Sequence, residues 1–285
     1  MMNDTQTTAN PLGYEKIGKL LTSYAVPSII ALIINSLYNM VDQIFIGQGV
    51  GFLGNGATNI IAPIATITIA IATLFGDGLA AFFSLNLGKG EGEKAAKGLG
   101  TSIMFGSIFG IIWTVLAFVF LKPLCLIFGA TENILPYALA YGRIIVIGFT
   151  FQIVGNTINS AIRTDGSPRY AMLSMMIGAV LNIILDPVFI FVFHWGVEGA
   201  ATATVISQLF GLLFNIAYLF RMKTIRLSRQ SFTLDIRTAG KIASLGFASG
   251  ANNLTSTVVA FVSNNLMTKY SERSPYGADI PLTTF

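Results

Sequence analysis

Residues 168–193 read PRYAMLSMMIGAVLNIILDPVFIFVF, an apolar stretch that carries charge at only two places, Arg169 and Asp186. A helix needs about 20 apolar residues to cross the hydrocarbon core of a bilayer. The stretch does not alternate between apolar and polar residues, as the strands of a membrane barrel do. It therefore predicts a transmembrane α-helix, whose backbone hydrogen bonds are satisfied internally.

Six further stretches have the same character, and the fold class that we predict is an all-α integral membrane protein with the lipid bilayer as partner. The seven predicted spans are 20–46, 58–83, 99–121, 137–162, 168–193, 199–220 and 240–268. The first span follows a polar start and lacks a small-residue cleavage site. This indicates a retained helix and not a signal peptide.

The composition of the whole chain excludes several classes of protein. Of its 285 residues, 53% are hydrophobic and 11% are charged, whereas about a quarter are charged in soluble domains. The net charge of +4 forms no basic stripe on a polar domain, so we expect no nucleic-acid partner. Cys125 and His194 are the single cysteine and the single histidine. One cysteine excludes a thiolate metal site, and one histidine argues against histidine-based metal or triad chemistry. No nucleophile–base pair stands out in the sequence, and we expect no enzymatic activity and no cofactor.

Lysine and arginine lie mostly on one side of the predicted spans. Thirteen of the 17 bases fall in the N-terminal segment, the loop 84–98, the turn 163–169 and the segment 221–241. Segments rich in these bases face the cytoplasm by the positive-inside rule. We therefore expect a multi-pass protein of the plasma or inner membrane, with a cytoplasmic N-terminus.

The charged segment 221–239 predicts a cytoplasmic linker between two transporter lobes. It separates a six-helix N-terminal lobe, 1–220, from residues 240–285, which we interpret as the first helix and the start of a second, repeated lobe. Ala239-Gly240-Lys241-Ile242 opens the seventh span much as Ile17-Gly18-Lys19-Leu20 opens the first. Parallel repeats of a six-helix unit occur in transporters. Such a repeat implies about twelve spans, of which this chain carries seven.

Acidic side chains inside the predicted spans are few: Asp42, Asp77 and Asp186. Because an acid is costly in hydrocarbon, it usually faces a bundle interior or a wet cavity. The predicted helix directions place Asp42 and Asp186 near the outer ends of their spans. Thr202 and Thr204, near the start of the sixth span, share that depth. The sequence therefore predicts one polar site there.

The chemistry of this site follows from the residues next to Asp186. Asn182 lies four residues earlier and so shares its helical face, and Pro187 leaves the carbonyl of Ile183 without its helical donor. Carboxylate, amide, hydroxyl and carbonyl oxygens are ligands that a hard cation such as Na⁺ accepts. Two neighbouring carboxyl groups also make a proton site. Both cations remain open, as does the alternative that the acids contact water at the headgroups.

Pro27 lies about four turns before Asp42 in the first span. It can bend that helix and so couple the occupancy of the site to a change of shape. The alternative is a passive kink that neighbouring helices tolerate.

Four segments together resemble the bacterial drug-exporter branch of the multidrug and toxic compound extrusion (MATE) family. They are Asp42-Gln43-Ile44-Phe45-Ile46-Gly47, Leu87-Gly88-Lys89-Gly90, Leu181-Asn182-Ile183-Ile184-Leu185-Asp186-Pro187 and Gly196-Val197-Glu198-Gly199-Ala200-Ala201-Thr202-Ala203-Thr204. The resemblance implies a Na⁺- or H⁺-coupled antiporter that exports organic cations or amphipathic drugs by alternating access. It also implies a cation site at Asp42, Asn182, Asp186 and Thr204, and helix bending at Pro27.

The chain departs from this family in length, since its members usually carry twelve spans. Residues 276–282 resemble the lead-in to an eighth helix, so we expect a chain truncated within the second lobe. One alternative function is a lipid-linked oligosaccharide flippase of the same superfamily, although the deep spans carry acids where such proteins use cationic residues. Another is a non-transporting fragment that binds a cation or a partner protein.

Overall fold

The computed structural model describes residues 16–271, in which the chain is helical without a strand. The helices are α1 (Ile17–Gly49), α2 (Phe52–Gly88), α3 (Gly92–Val119), α4 (Leu121–Ile127), α5 (Leu135–Ile145), α6 (Gly148–Thr164), α7 (Pro168–Pro187), α8 (Gly196–Leu219) and α9 (Ile236–Ser271). A π-helical turn, Val188–Val192, extends α7, and a short 3-10 turn, Arg229–Ser231, lies between α8 and α9. The all-α fold class is therefore confirmed.

Five of these helices are long and apolar enough to cross a membrane, and α5 with α6 supplies a sixth when counted as one bent span. These six match the first six predicted spans. Helix α9 covers the seventh with 36 residues, but asparagines such as Asn252 and Asn253 make it less apolar. The seventh span and the division into two lobes therefore stay predictions, and the resemblance at 276–282 lies outside the described residues.

Two of the predicted spans are irregular. The span 137–162 is broken between α5 and α6, which meet at an angle of 50°. Gly148 begins α6 there, and a Cβ atom at Gly148 would overlap the side-chain oxygen of Gln208 on α8. After Pro187 the backbone widens into the π turn, closed by the Phe193 N–H donating to the Val188 carbonyl at 3.0 Å. Proline removes a helical donor, and π turns are common at such places.

Helix α2 runs through the centre of the bundle. Its buried side chains, among them Ile60, Ile61 and Ile64, pack with Phe149 of α6 and with α5 and α8 in the largest apolar cluster. Large apolar side chains on α1 and α3, such as Leu32 and Val115, are exposed instead. An apolar surface of this extent is typical of contact with lipid.

Helices α2 and α9 approach each other closely because glycines face each other. A Cβ atom at Gly78 on α2 would overlap the carbonyl oxygen of Ile242, and one at Gly246 on α9 would overlap the carbonyl oxygen of Leu74. Backbone atoms cannot move aside cheaply, so these two positions accept only glycine. The contact fixes α9 against the centre of the α1–α8 bundle.

The connection between α8 and α9, residues 220–235, packs on the first turns of α3. Helix α9 begins at Ile236, within the segment 221–239 that we predicted as a linker between lobes, and that role stays a prediction. The Thr101 hydroxyl donates to the Thr233 carbonyl at 3.0 Å, and the backbone of Ser231 leaves no room for a Cβ atom at Gly100. Lys97 pairs with Asp235 at 2.6 Å. This hydrogen bond, together with the backbone N–H of Thr238, holds the pKa of Asp235 well below its usual range.

Candidate cation site and the cavity beside it

The two acids that we predicted at one depth, Asp42 on α1 and Asp186 on α7, meet inside the bundle. Their carboxyl groups lie within hydrogen-bonding reach of each other. Asp42 is 7% exposed and Asp186 is 0% exposed. This burial disfavours the alternative that both acids merely contact water at the headgroups.

Asn182 connects Asp186 to α8. Its amide nitrogen donates to Asp186 Oδ1 at 3.2 Å and to Thr204 Oγ1 at 3.3 Å. Helices α1, α7 and α8 thus bring together the four side chains that we predicted to bind a cation. The hydroxyl of Thr202, which shares their depth, instead donates to the Glu198 carbonyl at 2.7 Å within α8.

Three buried oxygens of this group have no hydrogen-bond donor among residues 16–271: Asp42 Oδ1, Asp186 Oδ2 and Asn182 Oδ1. Buried acceptors without a donor are costly, and two carboxylates in contact repel each other unless a proton or a cation joins them. Residues 16–271 also hold no group of three or more His, Cys, Asp or Glu side chains that could bind a metal ion. The oxygen ligands therefore suit a hard cation or a shared proton better than a transition metal.

Two tyrosines beside the acid pair were not predicted. Tyr38 on α1 and Tyr141 on α5 lie close enough to interact electrostatically with both carboxyl groups. Tyr38 lies four residues before Asp42 and so shares its helical face, a spacing that could have revealed it. Tyr141 comes from a different helix with no acid near it in the sequence, so no comparable signal marks it.

A cavity of about 290 Å³ lies beside this group, between α1, α2, α6, α7 and α8. Asn182 and Thr204 line one end of it. Much of the remaining lining is polar and uncharged, including Gln152, Asn156, Asn159, Ser174, Ser207 and Asn215. Apolar residues such as Phe151 and Leu212 complete the lining, and a cavity of this size with several polar groups accepts water or a small ligand. The sequence did not reveal it, because its residues come from five helices.

Two further residues singled out in the sequence, Pro27 and Asp77, are not part of this group. Pro27 is buried within α1, and the helix continues past it. Bending at Pro27 stays a prediction, because the structure records a single conformation of α1. Asp77 is half-buried on α2 and is not among the residues that line the cavity.

A further buried acid, Asp165, was also missed. It follows α6 and is 1% exposed. Its carboxylate accepts hydrogen bonds from the Tyr218 hydroxyl at 2.7 Å and from the backbone N–H groups of Lys223 and Thr224 at 2.8 and 2.9 Å. Asp165 therefore ties the α6–α7 turn to the start of the connection 220–235, and we call this end of the bundle the linker end. The sequence marks Asp165 only as a turn residue before Gly166.

Comparisons with known proteins agree with this arrangement of helices. A family model described as MatE matches residues 27–188. The multidrug export protein MepA of Staphylococcus saprophyticus is 28% identical over 276 residues, which are 94% of this chain and 60% of MepA.

Solved structures resemble the chain over similar lengths. A structure of the MATE multidrug transporter DinF-BH in complex with rhodamine 6G has a TM-score of 0.89 at 30% identity, covering 96% of this chain and 60% of that one. An inward-facing multidrug resistance MATE family transporter has a TM-score of 0.79 at 26% identity, covering 90% and 60%. The chain thus spans about 60% of the length of these proteins. All three are transporters by description, which agrees with the prediction that the chain is not an enzyme.

Proposed function

Because this chain belongs to the MatE family, we propose that it works as a Na⁺- or H⁺-coupled antiporter that exports organic cations or amphipathic drugs by alternating access. The observation that carries the proposal is the contact between the carboxyl groups of Asp42 and Asp186. Both groups are buried, and each keeps an oxygen without a donor in the described chain. A monovalent cation or a shared proton between them would satisfy these oxygens and remove their repulsion.

Occupancy of this pair would favour one arrangement of the helices over another. Asp42 belongs to α1, whereas Asp186 and its partners Asn182 and Thr204 belong to α7 and α8. A cation that joins the two carboxylates therefore holds α1 against α7, and its loss lets them separate. A ligand can drive a cycle only through such a difference in affinity between two states. Bending of α1 at Pro27 would turn this local change into a larger one.

The descriptions of related proteins support the substrate class, and the position of basic residues supports the orientation. MepA is described as a multidrug export protein and DinF-BH as a multidrug transporter in complex with rhodamine 6G. The bases near Lys97, Arg163 and Lys223 lie at the linker end, which we take as cytoplasmic. Outside cations would then enter towards Asp42 and Asp186, and the substrate would leave outward.

The proposal is tested by efflux of rhodamine 6G from an exporter-deficient bacterial strain that expresses the 285-residue chain. We expect efflux from these cells and its loss in the Asp42→Asn variant, because a cation bound by Asp186 alone no longer joins α7 to a carboxylate on α1. The Asp77→Asn variant is the matched control, since it removes an acid of another span that lies outside the site. Efflux that is equal in all three would contradict coupling through Asp42.

The second candidate function is a non-transporting chain that binds a cation or a partner protein, and the buried oxygens without donors at Asp42, Asn182 and Asp186 in the described chain suit cation binding alone. It predicts that the chain reaches the membrane, binds a cation at Asp42 and Asp186, and exports no rhodamine 6G. Membrane fractions from the same cells separate this outcome from a failure of expression.

A further inference from the structure

We propose that the cavity beside the acid pair is a column of water that runs to the linker end and gives the coupling cation its route through the bundle. This inference rests on the proposed function for the identity of the cargo. The presence of water in the column does not depend on it.

The column follows matching polar faces of three helices. On α7 the lining runs from Asn182 to Ser174, which are eight residues or about 12 Å apart, and on α8 from Thr204 to Asn215, about 16 Å. Asn159 of α6 completes the far end, where its amide donates to the Ala171 carbonyl at 3.0 Å. Polar side chains therefore recur along the lining from the acid pair to the inner turns of α6, α7 and α8, between apolar ones such as Met175 and Leu212.

Polar atoms in the column lack protein partners. Ser207 and Asn215 are each 4% exposed. Ser207 Oγ, Asn215 Oδ1 and Gln208 Oε1 have no hydrogen-bond partner within the described chain. Buried polar groups are normally paired with protein or ordered water. A cavity of about 290 Å³ has room for several waters, since each occupies about 30 Å³ in the liquid.

Glycines keep the middle of the column open. Gly155, Gly178 and Gly211 come from three different helices and all line the cavity. A Cβ atom at these positions would meet its nearest neighbour at 3.9, 3.5 and 3.8 Å. These are ordinary contacts, unlike the overlaps at Gly78 and Gly246, so packing does not require glycine here. Glycine destabilises the interior of a helix relative to alanine, and the space that the missing side chains leave is the open column.

Aromatic side chains pack together beyond the lining residues, towards the linker end. Tyr170 stacks on Phe214 with ring centres 4.5 Å apart and lies 4.7 Å from the ring of Tyr218. The Tyr170 hydroxyl donates to the Phe214 carbonyl at 2.9 Å, and the Tyr218 hydroxyl donates to the carboxylate of Asp165. In the proposed column, this aromatic group next to Asn215 forms the closure beside the connection 220–235.

Cysteine labelling tests whether the column holds water. The chain has a single cysteine, Cys125, which is buried, so a Cys125→Ala background gives no signal of its own. We would place cysteine at the column with Gly211→Cys or Gly178→Cys and measure the rate of reaction with a small cationic methanethiosulfonate. Gly106→Cys is the control, because a Cβ atom there meets Ile153 and Thr157 at 3.7 Å, outside the cavity.

We expect the column variants to react at least about tenfold faster than Gly106→Cys, because thiols react as hydrated thiolates and buried thiols are inert. Equal, slow rates would overturn the proposal of a hydrated column. After labelling, we further expect the Gly211→Cys variant to lose rhodamine 6G efflux and the Gly106→Cys variant to keep it. Unchanged efflux in labelled Gly211→Cys would overturn the proposal that the coupling cation passes through the column. The proposed function is tested separately, by rhodamine 6G efflux of the unlabelled Asp42→Asn variant.

Discussion

The carboxyl group of Asp42 on α1 contacts that of Asp186 on α7, and Asn182 extends this contact to Thr204 on α8. Three helices thus meet at a buried group of oxygens, several of which lack donors within residues 16–271. A cation or proton there changes the attraction between helices and not only the charge of one side chain. The following predictions test this arrangement and the contacts that hold the bundle around it.

Removing the hydroxyl of Thr204 is expected to weaken cation binding. Thr204→Val keeps the shape of the side chain but deletes an oxygen, and we expect about a tenfold loss of affinity, or about 1.4 kcal/mol. Binding is measured as the cation concentration that produces half of the rise in Tm. Thr202→Val is the control, because the Thr202 hydroxyl bonds within its own helix. Equal losses in both variants would show that Thr204 has no special role.

Replacing Asp165 is expected to loosen the linker end. Asp165→Asn leaves an amide group facing buried N–H donors of Lys223 and Thr224, which should cost about 2 kcal/mol of stability. The measurement is thermal unfolding in lipid nanodiscs, with hydrogen exchange of residues 220–235 as a local readout. Asp77→Asn should change both far less. An unchanged exchange rate in Asp165→Asn would contradict the anchoring role.

Adding a methyl group at the α2–α9 contact is expected to separate the two helices. Gly246→Ala would force a Cβ atom against the Leu74 carbonyl oxygen, and overpacking of this kind costs about 1–3 kcal/mol. Gly240→Ala is the matched control on α9, because nothing lies within 4 Å of a Cβ atom there. Thermal unfolding should report a loss for Gly246→Ala and none for Gly240→Ala. A similar Tm in the two variants would refute the close contact.

Acid is expected to release the ion pair between Lys97 and Asp235. Since Lys97 lowers the pKa of Asp235 in the folded chain, the pair stabilises the fold above the unfolded pKa of about 3.9. That contribution declines below this value and is lost as the pH falls through the lower, folded pKa. The difference in Tm between the chain and its Asp235→Asn variant should therefore be full at about pH 6 and clearly smaller by about pH 2.5. A difference that does not change with pH would contradict the pairing.

Much of the fold follows from local sequence. The six apolar stretches lie where α1–α8 lie, because a span must be apolar along its whole length wherever it packs. The break before Gly148 and the π turn after Pro187 were missed, since both depend on neighbours: Gln208 approaches Gly148 from α8. The start of α9 at Ile236 also depends on local contacts, because the carboxylate of Asp235 accepts hydrogen bonds from the N–H groups of Arg237 and Thr238.

The acid pair could be predicted because charge is rare in hydrocarbon, so Asp42 and Asp186 stand out without any knowledge of the fold. The cavity could not be predicted from the sequence. Its lining residues, such as Gly178 and Ser207, are common in membrane helices, and only their meeting across helices makes a polar space. Asp165 was missed for a similar reason, since its partners lie far along the chain. Binding of a cation by the predicted residues remains a prediction.

The most direct test of the central claim is the Tm of the purified chain in nanodiscs across Na⁺ concentrations and pH values. If Asp42 and Asp186 share a cation, Na⁺ or acid should raise the Tm. The free energy of unfolding should increase by about 2.7 kcal/mol when the cation is in hundredfold excess over its Kd. Asp42→Asn should abolish that dependence, while Asp77→Asn should keep it. A response to Na⁺ would indicate Na⁺ coupling, and a response to pH alone would indicate protons. The same dependence in the chain and in Asp42→Asn would contradict the account.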